Sequence, residues 1–190
     1  MYKGKNPTAI QSQKWFKQSL LKLCTAKPYK NISVKELCAK ADLSRQTFYM
    51  LFKSKEEIIE LFIDDLFEDV ISKIDFDNMN IHTLMDFCFG LYKKDMPGLK
   101  ILIKNNLVWI LRKKLREQIY SITSQIRKSE MSDDMLNYAA AFISGAIIDV
   151  IVYLYSNNIH KTSEELSELV YYLLKGDYLK EFEGTDSELR

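Results

Sequence analysis

Three consecutive polar residues, Arg45, Gln46 and Thr47, stand directly after Ser44 and directly before an aromatic and apolar run, Phe48-Tyr49-Met50-Leu51-Phe52. With Ser44 as its cap, this stretch reads as a short helix whose first turn is polar. Those side chains suit base edges. A guanidinium forks onto guanine, a carboxamide pairs with adenine, and a threonine meets a thymine methyl or a phosphate. Other chemistry has far less to work with. His82 and His160 are the only histidines, and neither has a ligand or nucleophile partner close in sequence. A Gly-rich phosphate loop, H-E-x-x-H and G-x-S-x-G are all missing, so the expectation is no catalytic residue, no metal site and no cofactor. An enzyme working through carboxylates alone, or a helical adaptor that binds no DNA, stays as a more distant reading.

The elements around this stretch must present it. Ser33-Val34-Lys35-Glu36 has the pattern of a capping box and opens a short helix ahead of the first one. Asp42 then suits a left-handed turn. Two short helices joined by so tight a turn form a helix-turn-helix, with Val34, Leu37, Cys38, Ala41, Leu43, Phe48 and Phe52 facing inward. A helix over about Ala9–Thr25 precedes them, carrying Ile10, Trp15, Phe16, Leu20, Leu23 and Cys24 at helical spacing. Ser54 and Glu57 suggest a second capping box, opening a helix over about Lys55–Ile74.

Charge is divided along the same line. Residues 1–55 hold eleven Lys and one Arg against Glu36 and Asp42, a balance of +10. Residues 56–190 hold 15 Lys and Arg against 24 Asp and Glu, a balance of −9. The first part attracts a polyanion and the second repels it. An adaptor would leave that asymmetry without a purpose.

The rest of the chain reads as helices over Ile81–Lys94, Pro97–Asn105, Leu107–Lys128, Asp133–Asn157 and Ser163–Leu179, after a polar linker at Asp75–Asn80. The fold class expected is all-α, with a three-helix DNA-binding head at 1–54, a helical bundle at 55–184, and a frayed tail at 185–190. Tyr138–Tyr155 is apolar enough to resemble a membrane span, but Asp149 lies well inside it, so a helix buried by protein on nearly all sides is expected. Cys24, Cys38 and Cys88 have no C-x-x-C spacing and read as buried thiols, and Met1–Lys5 lacks an apolar run, which together suggest a cytoplasmic protein with no signal peptide and no membrane partner.

Residues 32–57, ISVKELCAKADLSRQTFYMLFKSKEE, resemble the TetR family of bacterial regulators, most specifically through Thr47-Phe48-Tyr49-x-x-Phe52-x-x-Lys55-Glu56. The resemblance implies that Arg45, Gln46 and Thr47 face the major groove beside Ser44 and Met50. It gives Tyr49 and Lys55 phosphate contacts, Lys35 a base edge or phosphate, and Ser33 a backbone contact. Asp42 stands where the family often has Gly, and Met50 and Leu51 stand where polar or aromatic residues are common, which leaves the base sequence read open.

The resemblance also implies a homodimer on a pseudo-palindromic operator and a small-molecule effector. The expected function is a repressor released by that effector, through movement of the helix that follows the head; the alternative is an activator, or a regulator controlled by a protein partner. Ala141, Gly145, Ile148 and Val152 on one helix, with Leu166, Leu169, Val170 and Leu173 on the last, are the expected dimer contacts. Phe87, Tyr92, Trp109, Phe142 and Asp149 are the candidate pocket residues, whose aromatics hint at an apolar or cationic ligand.

Overall fold

The computed structural model describes residues 1–72, 80, 82, 83, 85, 89, 96–126 and 131–176. Among them are eight α-helices and one 3-10 turn, and no strand.

Helix α1 spans Pro7–Ala26. It starts ahead of its apolar pattern because Asn6 caps it: the Asn6 side-chain oxygen accepts from the Thr8 N–H at 2.9 Å, and Pro7 fits a first turn where no N–H is needed. Phe16, Leu20 and Cys24 are buried. Trp15 is 45 % exposed, since one step along a helix turns a side chain by about 100° away from Phe16. Ile10 is also exposed.

A 3-10 turn at Tyr29–Asn31 leads to α2, Val34–Ala41. Ser33 caps α2 by accepting the Glu36 N–H at 3.1 Å, but the Glu36 carboxylate pairs with Lys27 instead of returning to the cap. Only half of the expected capping box forms. Asp42 ends α2 at φ 55°, ψ 43°, the left-handed conformation expected of it. Helix α3 follows at Arg45–Leu51, capped by Ser44. Its inner side, Phe48 and Leu51, meets Phe52, α1 and α2. Phe16 stands edge-on to Phe48 and Phe52, with centroids 5.6 and 6.0 Å apart. Full burial of such rings contributes roughly 1.5–3 kcal/mol each and fixes which side of α3 faces out. Val34 and Leu43 are only half-buried.

Helix α4 runs over Glu56–Ile71, beginning one residue later than a cap at Ser54 requires. Glu57 reaches back to the Lys53 N–H at 2.9 Å, and the second capping box is not formed. The remaining described helices are α5 (Met96–Lys104), α6 (Val108–Ile126), α7 (Asp133–Ser156) and α8 (Ser163–Leu174). The full reciprocal box opens α8, between Thr162 as cap and Glu165, and the helix starts at the expected Ser163. The expected helix over Ile81–Lys94 and linker at 75–80 fall largely outside the described residues.

Helices α6 and α7 pack along one another, α4 lies against α1 and α6, and α5 touches α1. Charged pairs mark the seams. Lys17 pairs with Asp65 between α1 and α4, while Lys113 meets Glu60 at 3.0 Å and Lys114 meets Asp64 at 2.7 Å between α6 and α4. The apolar helix α7 is long and apolar enough to cross a membrane, yet only 33 % of its most apolar window is buried within the protomer. The expected burial on nearly all sides is therefore not met. Tyr138, Phe142 and Tyr153 are 69, 67 and 62 % exposed.

Candidate nucleic-acid interface

Helix α3 is a short, rigidly seated element. Ser44 Oγ accepts the Thr47 N–H at 3.0 Å and shares a hydrogen bond with Thr47 Oγ1 at 2.9 Å. Thr47 is thus partly occupied by the cap and half-buried. Arg45 and Gln46 are exposed, and so are Tyr49 and Met50 one turn later. These four lie on one side because residues four apart stack on a helix, while Phe48 and Leu51 hold the other side in the core. The Tyr49 ring rests edge-on against Phe48, centroids 5.2 Å apart, which steadies it while leaving its outer edge open. Ser33 and Lys35 at the start of α2 are exposed as well, as are Lys30, Lys40 and Lys53. Burial raises the Cys38 thiol above its ordinary value, with Arg45 nearby opposing it, so Cys38 is a packing residue of the α2–α3 seam.

Lys55 differs from expectation. Its ammonium donates to the Tyr29 carbonyl at 3.1 Å and to the Ile32 carbonyl, and sits 4.3 Å from the centre of the Tyr29 ring. The side chain is turned into the junction between the 3-10 turn, α2 and α4, so the expected phosphate contact gives way here to an internal tie.

Sequence patterning missed Asn105. Its Oδ1 accepts the Tyr29 N–H at 2.7 Å, and its Nδ2 donates to the Ile101 carbonyl at 2.9 Å. An amide after a helix reads from sequence only as a stop, and Asn105-Asn106 carried no other signal.

The described pocket residues lie at the surface of the protomer. Trp109 is 54 % exposed and Phe142 is 67 % exposed, while Asp149 lies on the surface of α7, paired with Arg112. Phe87 and Tyr92 lie outside the described residues, as does Cys88. The dimer set divides too. Ile148, Leu166 and Val170 are buried inside the protomer and cannot meet a partner there. Ala141 and Leu173 are exposed, and Gly145, Val152 and Leu169 are half-buried. The difference for Ile148 is one of phase: on α7 the outward side is centred on Tyr138, Phe142, Gly145, Asp149 and Tyr153, one step from the inward Ile148.

Residues 20–61, from the middle of α1 into α4, match the family model of bacterial regulatory proteins, tetR family. The match is confined to the head, which resembles the tetR family. The match supports a DNA-binding transcriptional regulator. No curated protein matches the sequence. Two solved structures extend the likeness in fold beyond the head. Lin0861 from Listeria innocua superposes with a TM-score of 0.74 at 18 % identity, over 92 % of this chain and 95 % of that one. The dihydroxyacetone kinase operon activator DhaS superposes with a TM-score of 0.55 at 18 % identity, over 88 % of this chain and 96 % of that one. The all-helical arrangement behind the tetR-family head is therefore one found in known proteins.

Proposed function

We propose that the chain is a homodimeric repressor, holding a pseudo-palindromic operator with two copies of α3 and released by a small molecule. The observation that carries this reading is the outward row of Arg45, Gln46, Tyr49 and Met50 on a helix whose other side is locked by Phe48 and Leu51. That row sits in a segment of net charge +10, and the tetR-family match gives it a duplex as its target. In this reading Arg45 and Gln46 read base edges, Met50 and the Thr47 methyl supply apolar contacts, and Ser33, Lys35, Ser44 and Tyr49 hold the backbone. The head at 1–54 reads DNA, the residues from 55 to 184 form the regulatory bundle, and 185–190 serve neither.

The dimer surface of this reading is the exposed side of α7, with Ala141, Gly145 and Val152 at its centre and Leu169 and Leu173 of α8 beside it. Among the described residues, nothing lies within 4 Å of where a Cβ at Gly145 would stand, so the notch there opens outward, where a second helix has room to approach. Twofold symmetry would give each reading helix a half-site.

Titration of a duplex by fluorescence anisotropy across salt concentrations tests the reading. A steep fall in affinity with salt is expected, with Arg45→Ala relaxing the preference for the selected operator over a scrambled one. Shallow salt dependence, or an Arg45→Ala protein with wild-type preference, would overturn it. The fold likeness to DhaS, named as an operon activator, supports a second reading in which the bound regulator activates. A reporter gene placed behind the operator separates the two.

A further inference from the structure

A cleft of about 320 Å³ lies between α5 and the C-terminal end of α7, lined by Lys100, Lys104, Tyr155, Ser156, Asn158 and His160 over an apolar floor of Leu154 and Ile159. Lys100 and Lys104 are four residues apart on α5, so their ammonium groups share one side and repel each other. Both are exposed. On α6, Arg112 is paired with Asp149, Lys113 with Glu60 and Lys114 with Asp64. Among the described residues that line this cleft there is no carboxylate.

The carbonyls that end α7 are largely occupied already. Tyr153 accepts the Asn157 N–H at 3.0 Å and the Asn157 side-chain amide at 2.8 Å. Leu154 accepts the Ile159 N–H at 2.9 Å, and Tyr155 accepts the Asn158 N–H at 3.3 Å, with Asn158 left-handed at φ 53° to close the turn. Among the described residues, the two ammonium groups therefore have no partner of the opposite sign within the cleft, beside an imidazole, hydroxyls and an amide able to donate.

We infer that this cleft binds a small oxyanion, a phosphate or carboxylate group carried on a short apolar body. The oxyanion relieves the repulsion between Lys100 and Lys104 and accepts charge-assisted hydrogen bonds from them, while the body rests on Leu154 and Ile159. Asn105, which holds the Tyr29 backbone, directly follows Lys104. Occupancy of the cleft thus acts on the element that reaches the head, and this coupling rests on the DNA-binding reading above.

Binding is tested without DNA, by calorimetric titration of the full chain with inorganic phosphate, ethyl phosphate and butyrate at constant ionic strength. Saturable binding is expected, ethyl phosphate exceeding inorganic phosphate if the floor contributes, and the comparison with butyrate tells phosphate from carboxylate preference. The double variant Lys100→Gln, Lys104→Gln should weaken binding at least about tenfold, and the double arginine variant should retain it. Because both lysines are exposed, an unchanged far-UV spectrum and melting temperature are expected of each variant. No saturation with any of the three anions, or equal affinity in the glutamine variant, overturns the site. The operator titration is then repeated with the tightest anion. A shift in operator affinity that Asn105→Ala abolishes while anion binding persists supports the coupling. Anion binding with no shift in a protein that still binds operator overturns the coupling.

Discussion

Asn105 accepts the Tyr29 N–H at 2.7 Å, a hydrogen bond between residues 76 apart in the chain. On the other side of the same residue, the Lys55 ammonium holds the Tyr29 carbonyl and lies over its ring. Tyr29 is therefore gripped by the end of α5 and by the start of α4 together. Its ring is buried, which adds an apolar anchor to the two polar ones. The head is attached to the bundle through this point as well as through the continuous chain into α4.

Asn105→Ala removes the acceptor and leaves the Tyr29 N–H without its partner in a partly buried seam. The expected loss is about 1–3 kcal/mol of stability. Chemical denaturation measures that loss, and amide exchange at Tyr29 should quicken. Asn105→Asp keeps the acceptor and loses the donor to Ile101, so it should retain more of the slow exchange at Tyr29 than Ala does.

Lys55→Met separates an internal tie from a contact with DNA. The substitution keeps much of the aliphatic stem and removes the ammonium from two carbonyls and a ring. A stability loss of roughly 1–3 kcal/mol is expected, because hydrogen bonds from a charged group are the stronger kind. The slope of log affinity against log salt should stay near that of the wild type. Lys35→Ala should show the reverse: unchanged stability and a slope reduced by about one. If Lys55→Met also lowers the slope, its ammonium reaches phosphate in the complex.

The Glu57 carboxylate supplies a pH dependence. Partial burial opposes its ionisation, but the chain-terminal amine of Met1 at 2.7 Å and the Lys53 N–H outweigh that and hold its pKa below the ordinary value. A pKa lower in the folded state gives stability that is present above the unfolded value of about 4.3 and is lost as pH falls through the folded value. Urea unfolding of wild type and Glu57→Gln at pH 7 and at pH 3 checks this. The two curves should be separated at pH 7 and approach one another at pH 3.

Gly145→Leu tests the dimer surface. A side chain at this position has open space in the protomer, and leucine is a better helix former than glycine by nearly 1 kcal/mol. The isolated protomer should be no less stable. Sedimentation should show a weakened dimer, as the added volume fills the notch a second helix would occupy. A dimer of unchanged affinity would move the interface off this side of α7.

Much of the head was legible because its signals are local. Ser44 as a cap, Asp42 as a left-handed turn and Phe48 as an inward residue each depend on a few neighbours. The bundle was legible in its helices but not in their rotation. A mostly apolar helix such as α7 does not declare its inner side, so Ile148 fits a partner-facing pattern in sequence and fills the core in the fold, while Leu166 and Val170 of α8 turn their apolar side to their own protomer. Trp109 and Phe142 look like wall residues in sequence and are exposed in the protomer. Asn105 and Lys55 were beyond sequence reading of any local kind. Their partners at Tyr29 lie 76 and 26 residues away, and only the folded chain brings them together.

Trp15 and Trp109 are the chain's only tryptophans, and both indoles are about half open to water, one on the head and one on the bundle. The protein thus carries two native optical reporters, one in each functional region. Replacing either with phenylalanine leaves a single emitter. Its colour and quenching would follow duplex binding at the head, or ligand and partner binding along α6, without any attached dye.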